Sequence, residues 1–211
     1  MDMDATIRSW PLDEEHVRAA IDNICAISTD DGINFEVYGT TLIRDDDECG
    51  GFHVSLNAVY ENINSPLSMD ITAGDVIIPK PVKRLFKSFF DYAVRFKLWT
   101  YNTETILAEK IETILRRGTS NTRPRDFYDV YLITKTQEFD LGIFHQALSA
   151  TSIRRKTSEK ISDMSEIVKS IEENKVLKKQ WEKYQREYFY ANEVSFEDTI
   201  KAIKGLVSII G

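Results

Sequence analysis

Residues 2–7 read DMDATI and residues 67–71 read LSMDI, and the fold turns on both segments being strands. A period of two puts Asp2 and Asp4 on one face of an extended chain. The same alternation sends Leu67, Met69 and Ile71 to one side and Ser68, Asp70 and Thr72 to the other. Carboxylates this close repel unless a cation sits between them, and a divalent metal is the usual answer. Three strand-borne aspartates suit a two-Mg²⁺ transfer site, with Asp2 and Asp4 bridging the ions and Asp70 on the ion that activates the attacking hydroxyl. Asp4 and Asp70 are then expected on neighbouring strands, facing one cleft. On these residues alone, an exposed acidic terminus plus one edge-strand aspartate is the competing reading.

Around these segments the first part of the chain, to about residue 82, alternates helix and strand signals. Val17, Ile21, Ile24 and Cys25 form an apolar stripe at helical spacing, with Asp13 placed to cap it. Turn residues Asp30–Gly32 and Asp45–Gly51 bracket INFEVYGTTLI and precede FHVSLNAVY, two hairpin-like strands, and SPLSMDITAGDVIIPKP is a fourth strand ending at Pro79 and Pro81. From residue 83 onward the pattern is almost wholly helical, and no strand signal of comparable strength returns. These patterns predict an α+β core over residues 1–82, followed by an all-helical half over 83–211.

Two helices carry charges where apolar residues belong. In ETILAEKIETILRRG, Lys110 falls inside the face made by Ile106, Leu107, Ile111, Ile114 and Leu115, and Arg117 lies on the same side two turns later. Such a lysine either snorkels to water or meets an anion. If it faces a cleft, Lys110 neutralises phosphate charge and Arg117 offers a second cation. In PRDFYDVYLI, started by Pro124, Asp129 is surrounded by Phe127, Tyr128, Val130, Tyr131, Leu132 and Ile133. A carboxylate there needs a partner, for which Arg125, Arg123 and Lys110 are at hand. The sequence leaves open whether Asp129 locks two helices or takes part in chemistry.

Composition narrows the classes further. The net charge of −7 speaks against a surface that grips nucleic acid everywhere, but residues 1–50 hold thirteen acids against three bases while the remainder is about +3. The tract KVLKKQWEKYQREYFY mixes bases with aromatics and reads either as a solvated amphipathic helix or as an RNA-facing one. Cys25 and Cys49 form no CxxC pair, so neither a disulfide framework nor a zinc site is indicated. His16, His53 and His145 share no metal or triad spacing and receive no role. No P-loop or dinucleotide fingerprint is present. No run is apolar enough for a membrane span, and the expected location is the cytoplasm.

Taken together, DMDAT, MDITAGD, ILAEKIETILRRG and NTRPRDFYDVY resemble the nucleotidyltransferase toxins of the AbiEii/AbiGii abortive-infection family. The most specific part is AEK with Arg117, followed by Arg123, Arg125, Asp126 and Asp129 in the pattern R-x-[KR]-D-x-x-D. The resemblance implies a nucleotidyltransferase fold, Mg²⁺ on Asp2, Asp4 and Asp70, an NTP donor, and toxicity within a phage-defence system relieved by a cognate antitoxin. It also implies an acceptor hydroxyl on tRNA or another RNA. Asp70, Lys110 and Asp129 become the expected catalytic residues, with Lys110, Arg117 and Arg125 holding the nucleotide. Family members carry a helix and a Gly-Ser turn before the first aspartate pair. These do not precede Met1, which leads to the expectation of a truncated form. The alternative function is an inactive remnant that only binds a partner or RNA.

Overall fold

The computed structural model describes residues 2–8, 11–43, 50–88 and 93–208, with only the backbone of Asp2. Most of the turn expected at Asp45–Gly51, together with Cys49, lies outside the described residues. The chain divides into two compact units, Met1–Asp75 and Val76–Gly211.

In the first unit the strands are β1 (Asp2–Ile7), β2 (Asn34–Ile43), β3 (Gly51–Tyr60) and β4 (Ile63–Ala73), and helix α1 spans Glu14–Cys25. They form one sheet in the order β1-β4-β3-β2. β1 runs parallel to β4, and the other pairs are antiparallel. Alternation gives the sheet two unlike faces. Phe52, Val54 and Leu56 of β3 and Ile71 of β4 are buried with Val17 and Ile21 of α1, and Ala5, Ile7, Leu67 and Met69 pack against them. Asp13 caps α1 by accepting a hydrogen bond from His16 N at 2.9 Å. The opposite face carries Asp4, His53, Ser55, Ser68, Asp70 and Thr72.

The second unit begins with a two-stranded antiparallel ribbon, β5 (Val82–Lys87) and β6 (Arg95–Thr100). The sequence pattern predicts helix here. VKRLFK does not alternate cleanly, because both faces of the ribbon carry bases and large apolar groups, and the period-two signal cancels. Helices α2 (Thr103–Arg117), α3 (Pro124–Thr136), α4 (Leu141–Arg154), α5 (Met164–Glu172), α6 (Lys175–Glu187) and α7 (Phe196–Val207) follow. Their core centres on Leu107, Ile111 and Ile114 of α2, Phe144 of α4, Trp181 of α6 and Ile203 of α7.

The division after Asp75, ahead of the pattern change at residue 82, has a local cause. Asn102 caps α2 and also donates from Nδ2 to the carbonyls of Ile78 (2.7 Å) and Lys80 (3.1 Å), while Thr105 Oγ1 accepts from Ile78 N at 3.1 Å. The segment before β5 is thereby tied to the first turn of α2. α2 is further held by Glu112, which is fully buried yet satisfied: Arg155 Nη1 lies 2.6 Å from its Oε2, and Thr157 donates to its Oε1 at 2.9 Å.

Candidate active site

The polar face of the first unit is built by register. Asp4 of β1 stands opposite Asp70 of β4, and Asp70 stands opposite His53 of β3, so three polar side chains form a row across three strands. Neighbouring strands lie about 4.8 Å apart, within reach of one shared cation for paired carboxylates. Asp4 is exposed and Asp70 half-buried. His53 Nδ1 lies 2.6 Å from Asp70 Oδ1, so one carboxylate oxygen has a protein partner while the side chain as a whole stays 46% open to solvent. Asp2 pairs in register with Ser68, and its side chain lies outside the described residues.

Just beyond β4, Asp75 braces the same two strands. Its Oδ2 accepts from Thr6 Oγ1 at 2.7 Å and from Thr72 Oγ1 at 3.0 Å, and the two hydroxyls are 3.2 Å apart. This ties the end of β1 to the end of β4 and fixes the register that sets Asp4 against Asp70.

This face suits a hydrated cation better than a caged one. Among the described residues, no group of three His, Cys, Asp or Glu side chains converges tightly enough for an all-protein metal site. Two adjacent, accessible carboxylates nonetheless fit Mg²⁺, which keeps its waters and is usually bound by one or two carboxylates together with substrate phosphates.

In the second unit Lys110 does not snorkel. Its ammonium lies 2.6 Å from Asp129 Oδ2 and 3.0 Å from Asp126 Oδ1. Burial alone pulls this group down, but the charges and hydrogen bonds of Asp126 and Asp129 outweigh it and leave the Lys110 ammonium above its ordinary range. It is therefore a fixed positive charge at neutral pH. Asp126 and Asp129 are one turn apart on α3, and each also has an arginine: Arg123 Nε is 3.7 Å from Asp126, and Arg125 Nε is 4.0 Å from Asp129. Arg125 remains largely exposed. Arg117 closes α2, with its Nε buried and no hydrogen-bond partner among the described residues. A groove of about 400 Å³ elsewhere in this unit is lined by Tyr131, Lys135, Phe139, Asp198, Lys201 and Leu206, none of them from the Lys110 cluster.

Two participants are not marked by the sequence. His53 has no metal spacing to single it out, although FHVSL places it opposite Phe52 and Val54, on the polar face of a central strand. Asp126 belongs to the helix motif without an assigned role, yet it is the second partner of Lys110.

The class to which this chain belongs is that of the nucleotidyltransferases. The chain belongs to the family described as nucleotidyl transferase AbiEii toxin of type IV toxin–antitoxin systems, whose model matches residues 1–202. Its reaction class is nucleotidyl transfer, and membership implies a cognate antitoxin as partner. The fold is similar to the crystal structure of JHP933 from Helicobacter pylori, at TM-score 0.51 and 14% identity, covering 99% of this chain and 74% of that one. A candidate nucleotidyltransferase of the same bacterium aligns at TM-score 0.46 and 14% identity, covering 99% and 76% of the two chains. No curated protein matches the chain. No helix among the described residues is long and apolar enough to cross a membrane.

Proposed function

We propose that this protein, as the toxin of a phage-defence system held in check by its antitoxin, transfers a nucleoside monophosphate from an NTP to an RNA hydroxyl, tRNA being the leading acceptor, in a Mg²⁺-dependent reaction in the cytoplasm. The observation that supports this most is the register pairing of Asp4 with Asp70 on parallel strands. Asp4, Asp70 and Asp2 are the residues that would hold the metal, which supplies charge neutralisation at the triphosphate and a more acidic acceptor hydroxyl. Asp70 orients that hydroxyl and takes its proton, and His53 holds the Asp70 carboxylate in place. The hydroxyl oxygen bonds to the α-phosphorus, the bond from that phosphorus to the bridging oxygen of the β-phosphate breaks, and pyrophosphate leaves with the electron pair.

Lys110 enters as a permanent cation. Two of its three N–H groups are taken by Asp126 and Asp129, and the third has no partner among the described residues, which suits a phosphate oxygen. Asp129 acts by positioning that ammonium. Arg117 and Arg125 supply further charge for the nucleotide. The test is transfer of label from each α-³²P-NTP to tRNA and to total RNA by the purified chain, with and without EDTA. Metal-dependent label on RNA that disappears in Asp4→Asn and Asp70→Asn supports the reading. Transfer that survives both substitutions, or no transfer to any RNA, overturns it.

A further inference from the structure

The ribbon β5–β6 has a charge distribution that its fold does not explain. In antiparallel register Lys83 faces Trp99, Leu85 faces Lys97 and Lys87 faces Arg95. Period two therefore puts Lys83, Leu85, Lys87, Arg95, Lys97 and Trp99 on one face. All six are exposed, and the Trp99 side chain is 67% open to solvent. The two strands contain five bases and no acid, in a chain whose net charge is −7. Lys87 and Arg95 are like charges directly across the ladder, an arrangement that costs stability unless an anion lies over them. No ion pair to Lys83, Lys87, Arg95 or Lys97 exists among the described residues. On the other face Arg84 donates from Nη2 to Thr103 Oγ1 at 2.9 Å, and Phe86 stacks on its cross-strand partner Phe96 at 5.9 Å. The basic face is thus presented on a ribbon fixed to the start of α2.

We propose that this face of β5–β6 docks a single-stranded segment of RNA, with Lys87, Arg95 and Lys97 on its phosphates and a base stacked on Trp99. Arg95 and Lys97 are two residues, about 6.7 Å, apart along β6, and Lys87 stands across from Arg95, so three cations cluster at one end of this face with Trp99 next along the strand, a spacing that suits successive phosphates of an extended strand. An acidic protein would satisfy the same cations, but an exposed indole lying among them, with Lys83 Nζ 5.2 Å from its centroid, is the element a nucleobase uses. The choice of RNA rests on the acceptor proposed above, but binding here is separable from transfer.

The experiment is fluorescence anisotropy of a labelled, unstructured 20-nucleotide RNA against the full chain, without NTP or Mg²⁺, over a series of NaCl concentrations. The triple variant Lys87→Ala/Arg95→Ala/Lys97→Ala should bind at least tenfold more weakly and lower the slope of log K against log salt by about 2, since each phosphate that is no longer neutralised removes about 0.7. Trp99→Ala should weaken binding about tenfold and leave the slope unchanged, because stacking releases no counterions. Lys169→Ala, an exposed base outside the ribbon, should bind as the parent does, and because the assay reads binding without NTP or Mg²⁺, its failure is distinct from failure of the transfer reading. The proposal is overturned if the triple variant, with an unaltered circular dichroism spectrum, binds RNA like the parent. It is equally overturned if a poly-glutamate peptide competes as well as RNA and Trp99→Ala has no effect.

Discussion

His53 Nδ1 lies 2.6 Å from Asp70 Oδ1, across adjacent antiparallel strands. This pairing fixes the rotamer of the carboxylate proposed to handle the acceptor's proton and occupies one of its two oxygens. Both side chains are more than a third exposed, so the pairing contributes little to stability and its effect belongs in turnover. His53→Ala should fold with an unchanged melting temperature and slow transfer about tenfold, mainly in kcat. A loss confined to KM would show that His53 binds substrate rather than positions Asp70.

Removing a carboxylate should separate activity from stability. Asp4 and Asp70 are paired in register with like charge, so Asp4→Asn or Asp70→Asn relieves repulsion in the apo protein. Each is expected to reduce transfer by about a hundredfold or more, while the melting temperature holds or rises. Parallel measurement of labelled transfer and thermal unfolding checks this. A variant that loses both together would identify the pair as structural.

Lys110 is a clamp between α2 and α3 as well as the proposed phosphate-binding cation. Lys110→Ala leaves Asp126 and Asp129 facing each other, both mostly buried, and should cost about 2 kcal/mol in urea unfolding. Lys110→Met combined with Asp126→Asn and Asp129→Asn removes the stranded charges and should recover most of that loss without recovering transfer. Recovery of transfer in the triple variant would remove Lys110 from the catalytic residues.

The pH dependence of that clamp has a definite sign. Lys110 is raised in the folded state, so its contribution is fully present below the ordinary lysine value of about 10.4 and is lost as pH climbs through the folded one. Stability should be flat with respect to Lys110 from about pH 6 to 9 and fall only in the alkaline range. Tyr184 is also raised, by burial and then by its hydrogen bond with Tyr190. Its neutral form is favoured by folding, and its stabilisation is lost from about pH 10 upward. Urea titrations at about pH 8 and about pH 11 on Lys110→Met and Tyr184→Phe separate the two. Each variant should show a smaller alkaline loss than the parent.

Glu112 tests the core of the second unit without touching the proposed chemistry. Its carboxylate is fully buried against Arg155 and Thr157, with Arg116 Nε 3.3 Å away. Glu112→Ala strands the guanidinium of Arg155 and should cost about 3 kcal/mol. Thermal unfolding measures this directly, and an unchanged melting temperature would show that solvent replaces the carboxylate.

How far the sequence reaches depends on the range of the interaction that decides each feature. Alternation in LSMDI and helical periodicity in ETILAEKIETILRRG are properties of neighbours along the chain. They are enough to put Asp70 on a polar face, to place Lys110 within a buried stripe, and to mark the helices from α2 to α7. The Asp13 cap is equally local. The β5–β6 ribbon is not legible, because its strands carry bases and large apolar groups on both faces and so lack the contrast that marks a half-buried strand.

What the sequence determined by itself is therefore which side of each element is polar, and the family to which the helix motif belongs. The tertiary structure alone decided that β1 lies parallel beside β4 in the register that opposes Asp4 and Asp70, that His53 reaches Asp70, and that Lys110 meets Asp126 as well as Asp129. Those partners are brought together by sheet order and helix packing. Both are set by where apolar surface is buried across the whole unit, and spacing along the chain does not encode which buried faces will meet.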